Sequence, residues 1–258
     1  VLWRHIYINT VLIDYMEPTY GDYDTSSIDG LDTLIQRMDA ANTINDWSFI
    51  LADYISWGNN KIAKSVAIFN MNSATDCPNA DTERCQVPWE ACYAHKAENI
   101  YPHALPYRRR QEYLWDSIDP DTWAEAFLEI VSRKRSPVTA VRFSEAWDFR
   151  SDSDIIRINR IAQILKPHDI DVYTYSASSF VNWDLATDFN INQSNDFSDY
   201  GDRLFSAVPT KDDIPEGAVM CPFEYAKTNG VETADRPKCG DCKLCIDKDG
   251  PDVYITLH

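Results

Sequence analysis

The chain has 258 residues, 44% of them hydrophobic and 12% aromatic, enough to bury a large core and to exclude wholesale disorder. Its net charge of −17 works against general affinity for nucleic acid. No apolar stretch approaches the roughly 18 residues of a membrane span, so a soluble protein with no membrane partner is expected.

Aspartate dominates the acidity, with 30 Asp against 11 Glu, and lysines number only 10. Short, strongly hydrated carboxylates with few lysines suggest a salt-rich cytoplasm, that of a halophilic archaeon or of a cell infected by its virus. Salt there screens the self-repulsion. No basic region followed by an apolar run opens the chain, so no secretory signal is read. The missing initiator Met suggests processing or an incomplete N-terminus.

Residues 1–58 read as an N-terminal extension. Residues 3–16 mix β-branched and aromatic side chains, as in a strand or hairpin. Residues 26–41 carry Ile28, Leu31, Leu34, Ile35 and Met38 at helical spacing, and residues 46–57 suggest a second helix stopped by Gly58. From Lys61 the pattern becomes alternating strands and helices. Strands are expected at 65–69, 139–143, 171–175, 189–192, 204–208, 217–220 and 253–257. Helices are expected at 93–100, 107–116, 119–133, 151–165 and, briefly, 182–188. Asp119 followed by Pro120 is a helix start, since Pro at the first helical position needs no N–H partner.

Repeated strand–helix units predict an α/β protein with a parallel sheet. Too few units are present for an eight-fold barrel, so residues 59–220 read as an incomplete (β/α) barrel. Residues 221–258 read as a cysteine-rich segment with a last strand. Chemistry in such folds sits at the carboxyl ends of the strands. Those ends are residues 70–92, 144–149, 176–179 and 193–195.

Seven cysteines fall into two groups. Cys77, Cys85 and Cys92 lie early, and Cys221, Cys239, Cys242 and Cys245 lie late. An odd number leaves one over from any disulfide pairing. Four thiolates satisfy a tetrahedral zinc or the four irons of a [4Fe–4S] cluster, and both remain open for the late group. Three thiolates on a four-iron cluster leave one iron free for a ligand. His95 lies three residues after Cys92 and is a candidate fourth ligand. Glu145 and Asp148 flank the end of the second parallel strand and are candidate catalytic carboxylates, with Arg142 placed to neutralise either. Arg108, Arg109 and Arg110, with residues 133–135, are the only basic concentrations and mark a candidate nucleic-acid contact.

Several motifs together resemble the phage family named for gene product 88, over about residues 60–258. They are Asn60-Lys-Ile-Ala-Lys64, Cys77-Pro78 with Cys85 and Cys92-Tyr-Ala94, and Arg142-Phe-Ser-Glu-Ala-Trp-Asp-Phe149. Tyr173-Thr-Tyr-Ser176, Cys221-Pro222, the Cys239-x2-Cys242-x2-Cys245 run and His258 complete the set. That family is similar in turn to radical S-adenosylmethionine enzymes, partial barrels with a three-cysteine [4Fe–4S] loop after the first strand. Their usual spacing is Cys-x3-Cys-x2-Cys, against Cys-x7-Cys-x6-Cys here. The resemblance implies an iron–sulfur protein with a redox or radical reaction at an open iron. It also implies S-adenosylmethionine as cofactor, with Tyr93, Arg142 and Ser176 as contacts. The alternative is a non-enzymatic binding protein whose metal sites staple loops and whose basic helix contacts nucleic acid or a viral or host protein.

Overall fold

The computed structural model describes residues 25–80, 85, 87, 89–194 and 200–256. Helix α1 spans Leu31–Ala40, after a single 3-10 turn at Thr25–Ser27. It starts later than the apolar spacing predicts because Gly30, with φ of 75°, turns the chain immediately before it. Helix α2 spans Ile44–Ala52 and is capped by Thr43, whose side chain bonds the Asp46 N–H while Asp46 bonds back. The helix expected to run on to Trp57 ends early: Ser56–Trp57 is strand β1. The strand or hairpin expected within residues 3–16 lies outside the described residues.

Strand β2 spans Val66–Phe69, β3 Ala140–Phe143, β4 Asp171–Ser176 and β5 Asn190–Gln193. Strand β6 spans Arg203–Val208, β7 Val219–Met220 and β8 Val253–Thr256. Between β2 and β3 lie α3 (Tyr93–Ile100), α4 (Ala104–Ser117) and α5 (Pro120–Ser132), the last capped by Asp119 onto the Thr122 N–H. Helix α6 (Asp152–Leu165) connects β3 to β4. The helix expected at 182–188 is only a 3-10 turn at Trp183–Leu185. Its continuation is diverted because the Thr187 and Asp188 N–H groups both donate to Asn159 Oδ1 on α6, each at 2.8 Å. Two helices escape the sequence reading, α7 (Pro222–Thr228) and α8 (Cys239–Cys242).

The fold is α/β. Among the described residues, eight strands run in the order β1-β2-β3-β4-β5-β6-β8-β7, all parallel except β1. β1 and β7 stand at opposite edges, and β8 returns between β6 and β7.

Side-chain alternation divides the sheet faces. Ala67, Phe69, Val141, Phe143, Val172 and Ile191 point into the main core, where they meet α1, α2 and α4 to α6. Trp115 and Trp123 fill its centre against Phe69 and Phe143. Residues 28–55 therefore share one core with the sheet. The opposite face carries Arg142, Tyr173, Tyr175, Asn190, Asn192 and Arg203, adjacent in the strand register. The late cysteine segment packs on it, with Cys239 and Ile246 against Val66, Ile68 and Tyr173. No helix among the described residues is long and apolar enough to cross a membrane.

Candidate functional site

The chain leaves β2 into a polar loop, residues 70–80, fixed by four buried or half-buried carboxylates. Asn70 Oδ1 accepts the Glu145 and Ala146 N–H groups at 2.8 and 3.1 Å, tying the end of β2 to that of β3. Asn72 donates to Glu112 at 2.6 Å. Asp76 accepts two bonds from Arg109, both at 3.0 Å. Glu98 on α3 accepts from the Ala74 and Thr75 N–H groups and the Thr75 hydroxyl, all within 2.8 Å, and pairs with Arg108 at 2.6 Å.

Asp148 closes this scaffold. Its Oδ1 accepts from Ser176 Oγ at 2.5 Å and Phe149 N–H at 2.8 Å. Its Oδ2 accepts from Ala177 N–H at 2.6 Å and Asn79 Nδ2 at 2.9 Å. Burial pushes the carboxyl above the usual range and these donors pull it back. All four strong acceptor positions are filled by the protein, so Asp148 links the loops after β2, β3 and β4, and Ser176 is tied to it.

Glu145 lies on the same rim. Its side chain accepts from Asn59 Nδ2 at 3.1 Å, and its carbonyl accepts from the Tyr93 hydroxyl. The Tyr93 ring is exposed. Arg142 lies within electrostatic reach of both and stacks its guanidinium on Tyr175, 4.6 Å from the ring centroid. Between Arg142 and Glu145, Ser144 has φ of 59°, an unusual conformation for a non-glycine residue, and its buried hydroxyl has no partner. Tyr93, Arg142 and Glu145 thus form one cluster, and Asp148 with Ser176 a second, beneath the loop that carries Cys77.

All seven cysteines are free thiols. Burial pushes the Cys77 thiol far up, assisted by the charges of Asp148, Cys85 and Cys92. Burial likewise raises Cys85, and Cys92 adds to it. In the late group, burial pushes Cys245 up to about 11, against a hydrogen bond from Tyr175, with Cys239 and Cys221 adding to the rise. Cys239 and Cys242 are raised by burial and by Cys221. Each group is therefore gathered within electrostatic reach. Among the described residues, however, no three His, Cys, Asp or Glu side chains converge on a single point fit for one metal ion.

The late group is assembled by the return of β8. Cys221 follows β7 and donates its N–H to the Tyr254 carbonyl at 2.7 Å. The Cys239 N–H donates to the Lys61 carbonyl at 3.0 Å. Gly240 permits this contact: a Cβ there would lie 2.7 Å from both Ala63 Cβ and Ser65 Oγ. Asn190 and Asn192 each donate to the Cys245 carbonyl at 2.9 Å. The early cysteine loop leaves the carboxyl end of β2, whereas in the late group the Cys239 turn lies by the amino end of β2 and Cys221 follows the carboxyl end of β7.

His95 stacks on Trp89, with ring centroids 3.7 Å apart, and its Nε2 faces Asn99 Nδ2 at 3.2 Å. The three consecutive arginines are engaged within the protein. Arg108 pairs with Glu98, Arg109 with Asp76, and Arg110 donates to the Asp29 carbonyl. They do not form an unpaired basic patch.

The sequence reading missed Glu98, Glu112, Asp76 and Asn79. An acidic residue on a charged helix carries no local mark of burial. The polar run directly after the apolar strand 66–69 was the available signal. No family model, curated protein or solved structure matches the chain.

Proposed function

We propose that the protein is an iron–sulfur protein with two centres. Cys77, Cys85 and Cys92 would hold a [4Fe–4S] cluster with one open position at the carboxyl ends of a partial barrel. Cys221, Cys239, Cys242 and Cys245 would hold a closed structural or electron-transfer centre. The observation that carries this reading is the gathering of thiols into a three and a four. Their donor chemistry suits such groups: soft sulfur ligands favour iron–sulfur clusters or zinc.

A redox or radical reaction at the open position is the proposed activity. A bound cluster would supply electrons and an iron site for a ligand such as S-adenosylmethionine. Tyr93, Arg142 and Glu145 supply the nearby polar contacts, and Asp148 and Ser176 hold the loop in place. Preorganisation supports a reactive role for the loop, since two half-buried ion pairs, the Asn72–Glu112 bond and a four-donor carboxylate fix residues 72–79.

The test is iron and acid-labile sulfide content of anaerobically purified protein. Wild type should be brown and contain both. Cys85→Ala should lose part of the iron, and Cys242→Ser a different part together with thermal stability, because metal binding energy is folding energy here. Added S-adenosylmethionine should perturb the EPR signal of reduced wild type and not that of Cys85→Ala. Zinc in both sites without iron overturns the proposal and leaves a metal-stapled binding protein.

A further inference from the structure

Arg142 on β3 is half-buried, on the sheet face opposite the main core. Its Nε is buried without a hydrogen-bond partner, and among the described residues its guanidinium forms no ion pair. The two carboxylates that follow it in sequence do not answer it. Asp148 has both oxygens filled by other donors, and the Glu145 side chain accepts from Asn59 Nδ2. The other described arginines that are not exposed each reach an oxygen. Arg37, Arg108, Arg109 and Arg150 pair with carboxylates, and Arg110, Arg157, Arg203 and Arg236 bond backbone carbonyls. A cation drawn out of water without an acceptor is costly, and a chain with 41 acidic residues has acceptors to offer.

The lean of the guanidinium shows where an acceptor would sit. In the strand register Arg142 lies opposite Tyr173, yet its guanidinium lies over the ring of Tyr175, 4.6 Å from the centroid. Tyr175 is two residues nearer the carboxyl end of β4, so the side chain leans toward the side of the sheet where parallel α/β folds bind ligands. Stacking covers the face of a guanidinium and leaves N–H groups in its plane for the paired oxygens of an oxoanion. Ser144, at the same strand end, adds a buried hydroxyl without a partner. Half-buried Phe205 meets Tyr175 edge-on, with centroids 4.9 Å apart, and continues an aromatic surface on this face. One guanidinium balances one negative charge. With Glu145 on the same rim and a net charge of −17, a carboxylate is favoured over a phosphate dianion.

We propose that Arg142 anchors a binding site for a small carboxylate ligand with an aromatic or apolar body, toward the carboxyl ends of β3, β4 and β6. The carboxylate takes the in-plane N–H groups of Arg142, and the body lies along Tyr175 and Phe205. The site uses no thiol, so it stands whether or not the cysteines hold iron.

The experiment titrates the full chain, as purified, with benzoate, acetate and inorganic phosphate. Binding is followed by calorimetry and by the NMR signals of the arginine Nε–H groups. Wild type is compared with Arg142→Gln, Arg142→Lys and, as a control at an exposed arginine, Arg135→Gln, with folding checked by circular dichroism. Wild type should bind benzoate more tightly than acetate or phosphate. Arg142→Gln should weaken benzoate about tenfold or more and Arg142→Lys by less, because an ammonium keeps the charge without the fork. Arg135→Gln should match wild type. The wild-type signal missing from Arg142→Lys should shift on benzoate addition. An Arg142→Gln chain that folds normally and binds benzoate as wild type does overturns the proposal, as does a wild-type chain that binds none of the three probes. Phosphate bound as tightly as benzoate overturns the carboxylate assignment. If Arg142→Gln does not fold, the wild-type signal decides, and one that stays in place at saturating benzoate overturns the proposal. Iron measured on the same samples separates the two readings: benzoate binding in a chain without iron overturns only the iron–sulfur one.

Discussion

Replacing Asp148 with Asn tests whether this carboxylate organises the loop that carries Cys77. Each of its oxygens accepts two hydrogen bonds, at 2.5 and 2.8 Å on one and 2.6 and 2.9 Å on the other. The amide must place an NH2 group at one of these positions, where it meets two donors. Ser176 Oγ, which accepts the Ser178 N–H at 3.0 Å, can accept from that amide only by turning its own hydrogen away from residue 148. Two bonds to a charged group are lost, each worth about 1.5–3 kcal/mol. Relief from burying a charge offsets part of that, so the net loss should be roughly 3 kcal/mol. Against a total stability of about 5–15 kcal/mol this is large. Urea unfolding should show the midpoint falling with little change in slope. Alkylation of Cys77 in metal-free protein should accelerate in the variant, because Asn79 is held by Asp148 as well as by Ser178 Oγ and the first of these bonds is weakened. A loss below about 1 kcal/mol, with Cys77 still protected, would refute the argument that Asp148 is a structural hub.

Two further outcomes are expected. The melting temperature should rise substantially from low to molar salt, because screening relieves repulsion in a chain of net charge −17; a flat or falling curve removes the salt-adapted reading. Stability should also decline as pH climbs from about 10, the ordinary tyrosine value. Burial holds the Tyr107 phenol up to about 12, and it raises Tyr54, Tyr173 and Tyr175 as well. The folded chain then binds more protons than the unfolded chain, so rising pH favours unfolding. Urea midpoints that stay level across that window would contradict the burial of these phenols.

Much of this architecture is written locally. Apolar spacing on Ile155, Ile158, Ile161 and Leu165 gives α6, and the Asp119–Pro120 start gives α5, because a helix face and a cap are short-range properties. Short buried strands such as Val66–Phe69 stand out as apolar runs between polar loops. The division of cysteines into three and four is also legible, since it is a matter of spacing. Other features depend on partners far away in the chain. Ser56–Trp57 is a strand only because β2 offers it an edge, and residues 182–188 fail as a helix because Asn159 captures their N–H groups. The insertion of β8 between β6 and β7 brings Cys221 and Cys245 within electrostatic reach, and no local pattern encodes that order. Burial decided the rest. Arg108 to Arg110 read as a basic patch until Glu98, Asp76 and the Asp29 carbonyl meet them. Arg203 falls just outside the strand expected at 204–208, and only the folded sheet encloses it, at 4% exposure. Residue type fixes which charges the chain carries, and only the tertiary structure decides which of them are left without an opposite.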